Sequence, residues 1–452
     1  MRPAANTDKS SRLLLARLRQ ISDAAGNILS AIFLTPFPAD RLLADYFRAH
    51  RSCGSRDRTQ ISRSIYALLR YWGWCRQLLP EAKLVRIEKG ERALSLEALT
   101  GLVGGALWIE GADASFAAEI FRTLELEVPA AAATPAARAA AAAAVFGVDR
   151  SFSAAELAPS WLEPLLPLDF HREDFFTALT RRPPLWLRIQ KPDGEPRLAA
   201  ELNKLGVNFF RHPDIADAIA IPEAKLNLHS LRSFLDGDFE VQDLGSQCIG
   251  LIAAPVPGER WLDACAGAGG KSLQLATLMQ RRGVLTAGDI RASVLEELRK
   301  RARRAGFPNI QLRPHPGRFW RGGHAYDGVL IDAPCSGSGV WRRNPGSQWS
   351  FNPETIPDFA RRQREILEAF AAAVKPGGVL IYATCSIFTA ENEEVVQSFL
   401  DSHPDFVPEG FNHPLTGARA MGMTRIDCRD GDCDCFFAAR LRRRHPVAQP
   451  GR

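Results

Sequence analysis

The sequence predicts an α/β protein: a mostly parallel sheet with helices on both faces over 238–445, behind a small α+β unit over 151–237 and a helical domain with an alanine-rich linker over 1–150. Three observations predict it. From about Phe239, strand-like and helix-like segments alternate, as parallel strands joined by crossover helices do. A glycine-rich turn follows the first of those strands and opens a helix. Ahead of them, residues 10–125 repeat apolar side chains at helical spacing.

The helical part begins with Leu13, Leu14, Leu15 and Leu18 and continues through Leu42, Leu43, Tyr46 and Phe47, then Ile61, Ile65, Leu68, Leu69 and Trp72. Gly54 to Arg58 reads as a loop entering a helix, with Asp57 as a candidate cap. The alanine run over 129–144 favours helix, while Pro129, Pro135 and the lack of large apolar side chains place it at the periphery. In the small unit, a helix is expected around Glu173 to Thr180 and an alternating strand at Pro184 to Ile189. A helix near Leu198 to Lys204 and short strands near Val207 to Arg211 and Ala218 to Ile221 follow.

Strands of the large sheet are expected at Trp261–Cys265, Val284–Asp289, Ile310–Arg313, Gly328–Asp332 and Val379–Ala383. Helices are expected near Ser272–Met279, Ser293–Ala305 and Pro357–Val374, the last stopped by Lys375-Pro376-Gly377-Gly378. Ligands of such sheets bind at the carboxyl ends of the strands, where the motifs below fall.

An apolar fraction of 46% and a charged fraction of 24% argue against a disordered chain. No apolar run reaches the roughly 20 residues that cross a bilayer. Met1 to Arg19 lacks an apolar core before a small-residue cleavage site, so the expected compartment is the cytoplasm, with no membrane partner. Nine cysteines, an odd number at irregular spacing, read as core thiols, ligands or nucleophiles rather than a disulfide framework. Cys428, Cys433 and Cys435 lack a fourth ligand at zinc-like spacing, so no metal is expected. A charge of +6 is compatible with a nucleic-acid partner. Basic clusters lie at Arg299-Lys300-Arg301 with Arg303-Arg304, at Arg342-Arg343, at Arg361-Arg362 with Arg364, and at Arg442-Arg443-Arg444.

The turn runs Asp263-Ala264-Cys265-Ala266-Gly267-Ala268-Gly269-Gly270-Lys271. A phosphate loop needs glycine six residues before the lysine, where Cys265 stands, and the spacing also differs from the nicotinamide fingerprint. Asp289 ends the next strand, where a carboxylate can accept the ribose hydroxyls of a nucleoside cofactor. Two further strand ends carry thiols: Asp332-Ala333-Pro334-Cys335-Ser336-Gly337 and Thr384-Cys385-Ser386. A lone cysteine is usually a small buried hydrophobe; two at adjacent strand ends, flanked by Asp, Pro, Gly and Ser, point to chemistry.

These stretches, with Gln242-Asp243, Ser246-Gln247, Asp332 to Pro345, Ala383 to Ile387 and Glu391-Asn392-Glu393, resemble the RsmB/NOP/Sun family of RNA cytosine-5 methyltransferases, most closely its bacterial ribosomal RNA branch. The resemblance covers essentially all of 180–441. More loosely, Gly54 to Tyr66 looks like that family's helical NusB-like domain, and Pro184 to Ile189 like part of its small RNA-binding domain. It implies a Rossmann-like class I methyltransferase sheet, S-adenosyl-L-methionine as cofactor, and a monomer acting on RNA, with small-subunit (16S) ribosomal RNA as the expected partner. By resemblance, Cys385 is the nucleophile, Cys335 helps release the product, and Cys265, Ala266, Gly267, Ala268, Gly269, Gly270, Lys271, Asp289 and Asp332 hold or border the cofactor.

The chemistry suits these residue types. A thiolate added to carbon 6 of cytosine makes carbon 5 nucleophilic, and loss of the carbon 5 proton then frees the thiolate. Asp332 is placed to bond the ring nitrogen, Lys271 to orient Asp332 or the base, and Arg342-Arg343 to meet phosphates. The base must be unpaired or flipped out. Two departures from the family pattern stand out: Ala268 replaces a usual proline, and Arg313-Pro314-His315-Pro316 lacks the usual acid after the third strand. The rival readings are a tRNA or DNA cytosine methyltransferase and a non-catalytic RNA-binding ribosome assembly factor. Ser336-Gly337 after Cys335 disfavours the DNA enzyme, and the intact thiols, Asp332 and Lys271 disfavour the scaffold.

Overall fold

The structure, a computed structural model, describes residues 4–35, 37–222, 226–315, 323 and 325–446, with side chains from residue 11. The chain forms two compact units, Met1–Arg182 with Trp341–Pro353, and Pro183–Val340 with Glu354–Arg452. No helix among the described residues is long and apolar enough to cross a membrane.

The first unit is helical. Its longer helices are Ala4–Leu34, Ala39–Ala49, Ser55–Arg70, Leu96–Glu110, Ala114–Thr123 and Pro135–Val145. Asp57 lies inside the first turn of its helix, and its carboxylate accepts from the Gly54 amide at 3.2 Å, satisfying an amide at the helix start. The alanine-rich segment forms the expected helix, Pro135–Val145, and packs by one face, with Ala139, Ala142 and Ala143 buried and Ala137 and Ala144 exposed. Gly101 of the helix Leu96–Glu110 faces Phe146 so closely that a Cβ there would stand 3.2 Å from the ring. Arg138 donates to the Ile109 and Glu110 carbonyls at 2.8 and 3.4 Å, at the carboxyl end of that helix.

Residues 341–353 join this helical unit although the sequence places them between strands of the other. Trp341 meets Trp161 edge to face and Phe351 meets it at a tilt, with ring centroids 6.0 and 5.8 Å away. Arg342 is drawn in with them; it is 4% exposed and donates to the Arg181 carbonyl at 3.2 Å. Its expected place facing phosphates is therefore corrected, because the aromatic cluster buries it.

The second unit holds two main sheets. The smaller orders β2-β3-β1-β4, all antiparallel, from β1 (Leu185–Ile189), β2 (Phe210–Arg211), β3 (Ala218–Ile221) and β4 (Phe239–Val241). The larger contains β5 (Arg260–Asp263), β6 (Val284–Asp289), β7 (Ile310–Pro314), β8 (Tyr326–Asp332), β9 (Val374–Thr384) and β10 (Phe406–Pro408). A hairpin of β11 (Phe411–Asn412) and β12 (Arg419–Ala420) follows, then β13 (Met423–Ile426) and β14 (Phe436–Arg443). The large sheet orders β10-β14-β9-β8-β5-β6-β7, with β13 also on β14. β5 to β9 are parallel, and β14 runs antiparallel to β9. Helices Gly270–Leu278, Ala292–Ala305 and Ile356–Ala371 cross between the parallel strands, giving the expected Rossmann-like α/β architecture. The last helix ends earlier than expected. Ala373 accepts the Ala325 and Tyr326 amides and Val374 pairs with Tyr326, so Lys375–Gly378 already belong to β9.

The basic run on Ala292–Ala305 is largely neutralised. Arg301 and Arg304 both pair with the buried carboxylate of Glu240 on β4, and Arg299 and Lys300 pair with Glu296 and Glu297. It ties small sheet to large within the unit rather than forming an open cationic face.

Candidate active site

β5 has β8 on one side and β6 on the other, so the chain winds away from it in both directions and leaves a crevice at its carboxyl end. The glycine turn lies there. Gly269 has φ +91°, and a Cβ on it would sit 2.0 Å from Leu298, so only glycine fits. Ala266 donates to the Gly288 carbonyl at 2.8 Å, and the Ala268 carbonyl accepts from Arg301 at 2.7 Å. Burial pushes the Cys265 thiol well above its ordinary value.

Asp289, at the end of β6, braces this turn. Its carboxylate accepts from the Gly267 amide at 3.0 Å, the Arg291 amide at 2.8 Å and the Arg291 guanidinium at 3.2 Å. Burial alone would raise its pKa, but these bonds together hold it below the usual carboxylate range. The carboxylate expected to accept ribose hydroxyls is thus also a structural acceptor. Beyond β7, His315 stands where an acid was sought. Its ring lies 2.8 Å from the Ala264 carbonyl and edge-on to Phe370, while Pro316 lies outside the described residues.

The two thiols meet. β8 and β9 pair Asp332 with Ala383, and beyond this the Ala333 amide donates to Ala383 and the Gly339 amide to Cys385, both at 2.8 Å. The loops are carried together until Cys335 Sγ stands 3.4 Å from Cys385 Sγ. Lys271, from the helix after the glycine turn, lies 2.7 Å from Asp332 Oδ2, and its ammonium sits 5.0 Å from the centre of the Phe436 ring. Burial opposes the charge on Lys271, but Asp332 outweighs it and raises the lysine pKa. The Cys335 thiol is pushed well up by its hydrogen bond with Cys385 and by burial.

Cys385, Cys335, Asp332 and Lys271 are therefore brought to the ends of neighbouring elements, with Lys271 coming directly from the glycine turn. Cys428, Cys433 and Cys435 lie elsewhere in the sequence, where the Cys433 thiol donates to the Asp427 carbonyl, and no disulfide joins any cysteine. Sequence reasoning gave no role to two buried carboxyls. Asp263, ending β5, accepts from Ser272 at 2.6 Å and is pushed up to about 7 by burial. Glu391 is fully buried and accepts from Ser336 and Ser386, the residues that follow the two thiols. In the sequence Asp263 is marked only as the first residue of the glycine turn, and Glu391 only as part of the Glu391-Asn392-Glu393 stretch.

Comparison with known proteins bears on this geometry. A family model described as 16S rRNA methyltransferase RsmB/F matches residues 250–442. Ribosomal RNA small subunit methyltransferase B of Klebsiella pneumoniae is 33% identical over 294 residues, which cover 64% of this chain and 66% of that protein. The protein of the same name from Salmonella paratyphi C is 35% identical over 260 residues, 55% of this chain and 59% of its own length. The chain thus spans just under two thirds, or less, of these relatives' length. A solved methyltransferase homolog protein from Pyrococcus horikoshii is 27% identical and covers 64% of this chain and 96% of its own, with a TM-score of 0.52. The solved structure of PH0851, 23% identical, shares the fold over 93% of this chain and 98% of its own, with a TM-score of 0.69.

Proposed function

We propose, from the premise that this chain belongs to the RsmB/NOP/Sun family, that it transfers a methyl group from S-adenosyl-L-methionine to carbon 5 of a cytosine in small-subunit (16S) ribosomal RNA. The observation that carries the reading is the 3.4 Å approach of Cys335 and Cys385 beside the Lys271–Asp332 pair.

The turn has room for the cofactor: at Gly267 and Gly270 a Cβ would meet nothing within 4 Å. The residues that would hold it are Cys265 to Lys271, with Asp289 and Asp332 at the border. Bound there, it supplies an electrophilic methyl group. The remaining steps fall to the chain. Cys385 as thiolate adds to carbon 6 of the cytosine, a covalent route that makes carbon 5 able to accept the methyl. Asp332, oriented by Lys271, accepts from the cytosine amino group and, once thiolate addition has made the ring nitrogen basic enough to take a proton from solvent, from that N–H, which stabilises the adduct. Cys335, beside the new carbon–sulfur bond, takes the carbon 5 proton once its own has left to solvent; the electron pair re-forms the carbon 5–carbon 6 double bond and Cys385 departs as thiolate.

In this reading residues 1–150 are a NusB-like RNA-binding domain with its linker, 151–237 a small RNA-binding domain and 238–445 the methyltransferase domain of a cytoplasmic monomer, although 151–182 and 341–353 pack in the helical unit. Radiolabelled methyl transfer to 16S RNA, with gels run under denaturing conditions, tests the chemistry. Cys385→Ser should give neither methylation nor adduct, and Cys335→Ser should accumulate a covalent RNA–protein adduct. Methylation by the Cys385 variant, or no adduct with the Cys335 variant, rejects the mechanism.

A further inference from the structure

We propose that Glu391 is a positioning residue whose buried carboxylate ties the Cys335 loop to the Cys385 loop and sets the spacing of the two sulfurs. The inference rests on the reading that both cysteines serve the reaction.

Glu391 ends a single turn, Thr389–Glu391, shortly after β9, and no solvent reaches it. Its Oε1 accepts from the Ser336 amide at 2.9 Å and from Gln363 Nε2 at 2.9 Å. Its Oε2 accepts from Ser386 Oγ at 2.5 Å. Ser336 follows Cys335 and Ser386 follows Cys385, so each bond acts one residue from a sulfur. Gln363, on the helix Ile356–Ala371, also donates to the Pro334 carbonyl at 3.0 Å and grips the Cys335 loop from its other side.

The neighbouring residues fix Glu391 in turn. Tyr382 donates to the Glu391 carbonyl at 2.6 Å. Asn392 accepts from Thr384 at 2.5 Å and donates to the Ser386 carbonyl at 2.8 Å. Ser338 Oγ accepts the Ile387 amide at 3.0 Å and lies 3.3 Å from Ser386 Oγ. An ionised carboxylate is acceptor-only at both oxygens, which suits three donors arriving from three separate segments. A buried carboxylate is costly unless such donors satisfy it, so a packing role alone would be filled better by an apolar residue. The Glu391 charge also adds, after the Cys385 bond and burial, to holding the Cys335 thiol protonated.

Oxidation of the full-length protein by diamide tests the spacing without RNA. The two thiols lose two hydrogens to the azo reagent, which becomes the hydrazine, and peptide mass mapping follows the Cys335–Cys385 disulfide. Glu391→Ala should slow its formation at least about tenfold, as loss of the charged hydrogen bonds frees the loops. In the same protein kcat should fall about a hundredfold, with KM for RNA and cofactor unchanged. Glu391→Gln should recover both readouts to within about threefold, because its amide still accepts from Ser336 and can donate to Ser386. If Glu391→Ala does not fold, Ser386→Ala, which removes one tie, should slow disulfide formation about threefold. A folded Glu391→Ala protein, or failing that Ser386→Ala, oxidising at the wild-type rate overturns the proposal. Absence of methyl transfer by the wild-type protein would reject the functional reading instead, while the oxidation rate still measures the tie.

Discussion

Lys271 and Asp332 form an ion pair in which the lysine side chain is 9% exposed and the aspartate 31%. The ammonium is thus buried against Asp332 and the Phe436 ring while the carboxylate keeps an edge exposed. The lysine pKa is raised in the fold, so the stability this adds is present in full below the ordinary lysine value and is lost only as pH rises through the raised one.

Lys271→Met should therefore lower stability by about 1–3 kcal/mol at neutral pH, since it leaves Asp332 without its cation. The loss should be flat between about pH 6 and pH 9. Methyl transfer should fall by at least about a hundredfold, because the carboxylate loses its orientation. Melting by calorimetry and single-turnover transfer measure both; wild-type values for each remove the pair from the mechanism.

Two adjacent glycines should respond in opposite ways. A Cβ at Gly269 meets Leu298 at 2.0 Å with a positive φ, whereas a Cβ at Gly270 meets nothing within 4 Å. Gly269→Ala should cost about 1–3 kcal/mol of stability through strain and overpacking. Gly270→Ala should leave melting within about 1 °C and weaken cofactor binding, because the methyl enters the open space over the turn. Thermal melting with and without S-adenosylmethionine separates the two effects, and equal destabilisation by both would contradict the account.

Asp263 supplies a pH signature. Its carboxyl is pushed up to about 7 in the fold from an ordinary 3.8, chiefly by burial. The folded state then binds a proton that the unfolded chain releases, so stability falls as pH rises from about 4 to about 7 and is flat beyond. The whole change is at most about 4 kcal/mol. Asp263→Asn keeps an acceptor for Ser272 and removes the titration. The fall in its stability with rising pH should be smaller than in the wild type by this component, and urea unfolding at pH 5 and pH 8 checks it. A variant retaining the wild-type slope would place the proton elsewhere.

What the sequence disclosed was local. β5 to β9, the glycine turn and the two thiols follow from apolar runs, glycines and strand ends read a few residues at a time. What stayed hidden depends on distant partners. The alanine helix buries one face, and Gly101 on a distant helix leaves room for Phe146 at its end. Arg342 is buried next to Trp341, which meets Trp161, far earlier in the chain, edge to face. The cationic helix is neutralised by Glu240, which precedes it by about sixty residues. Glu391 gains meaning only once β8 and β9 pair and bring Ser336 and Ser386 to one carboxylate.

Asp289 and Arg291 provide the last test. The guanidinium, on a side chain 62% exposed, shares Asp289 with the Gly267 and Arg291 amides. Accepting ribose hydroxyls requires the guanidinium to move aside, while the amide bonds that shape the turn can remain. Arg291→Ala should therefore bind S-adenosylmethionine at least as tightly as wild type, to within about threefold. Asp289→Asn should lose at least about tenfold in affinity, because it weakens both the brace and the acceptor. The depressed Asp289 pKa means that the ionised form, and the stability it brings, persists above the ordinary carboxylate range and fades only as pH falls through the lowered value. Binding should accordingly be flat across neutral pH in the wild type. Calorimetric titration of the three proteins decides the point: equal losses in the arginine and aspartate variants would transfer the cofactor contact from the carboxylate to the guanidinium.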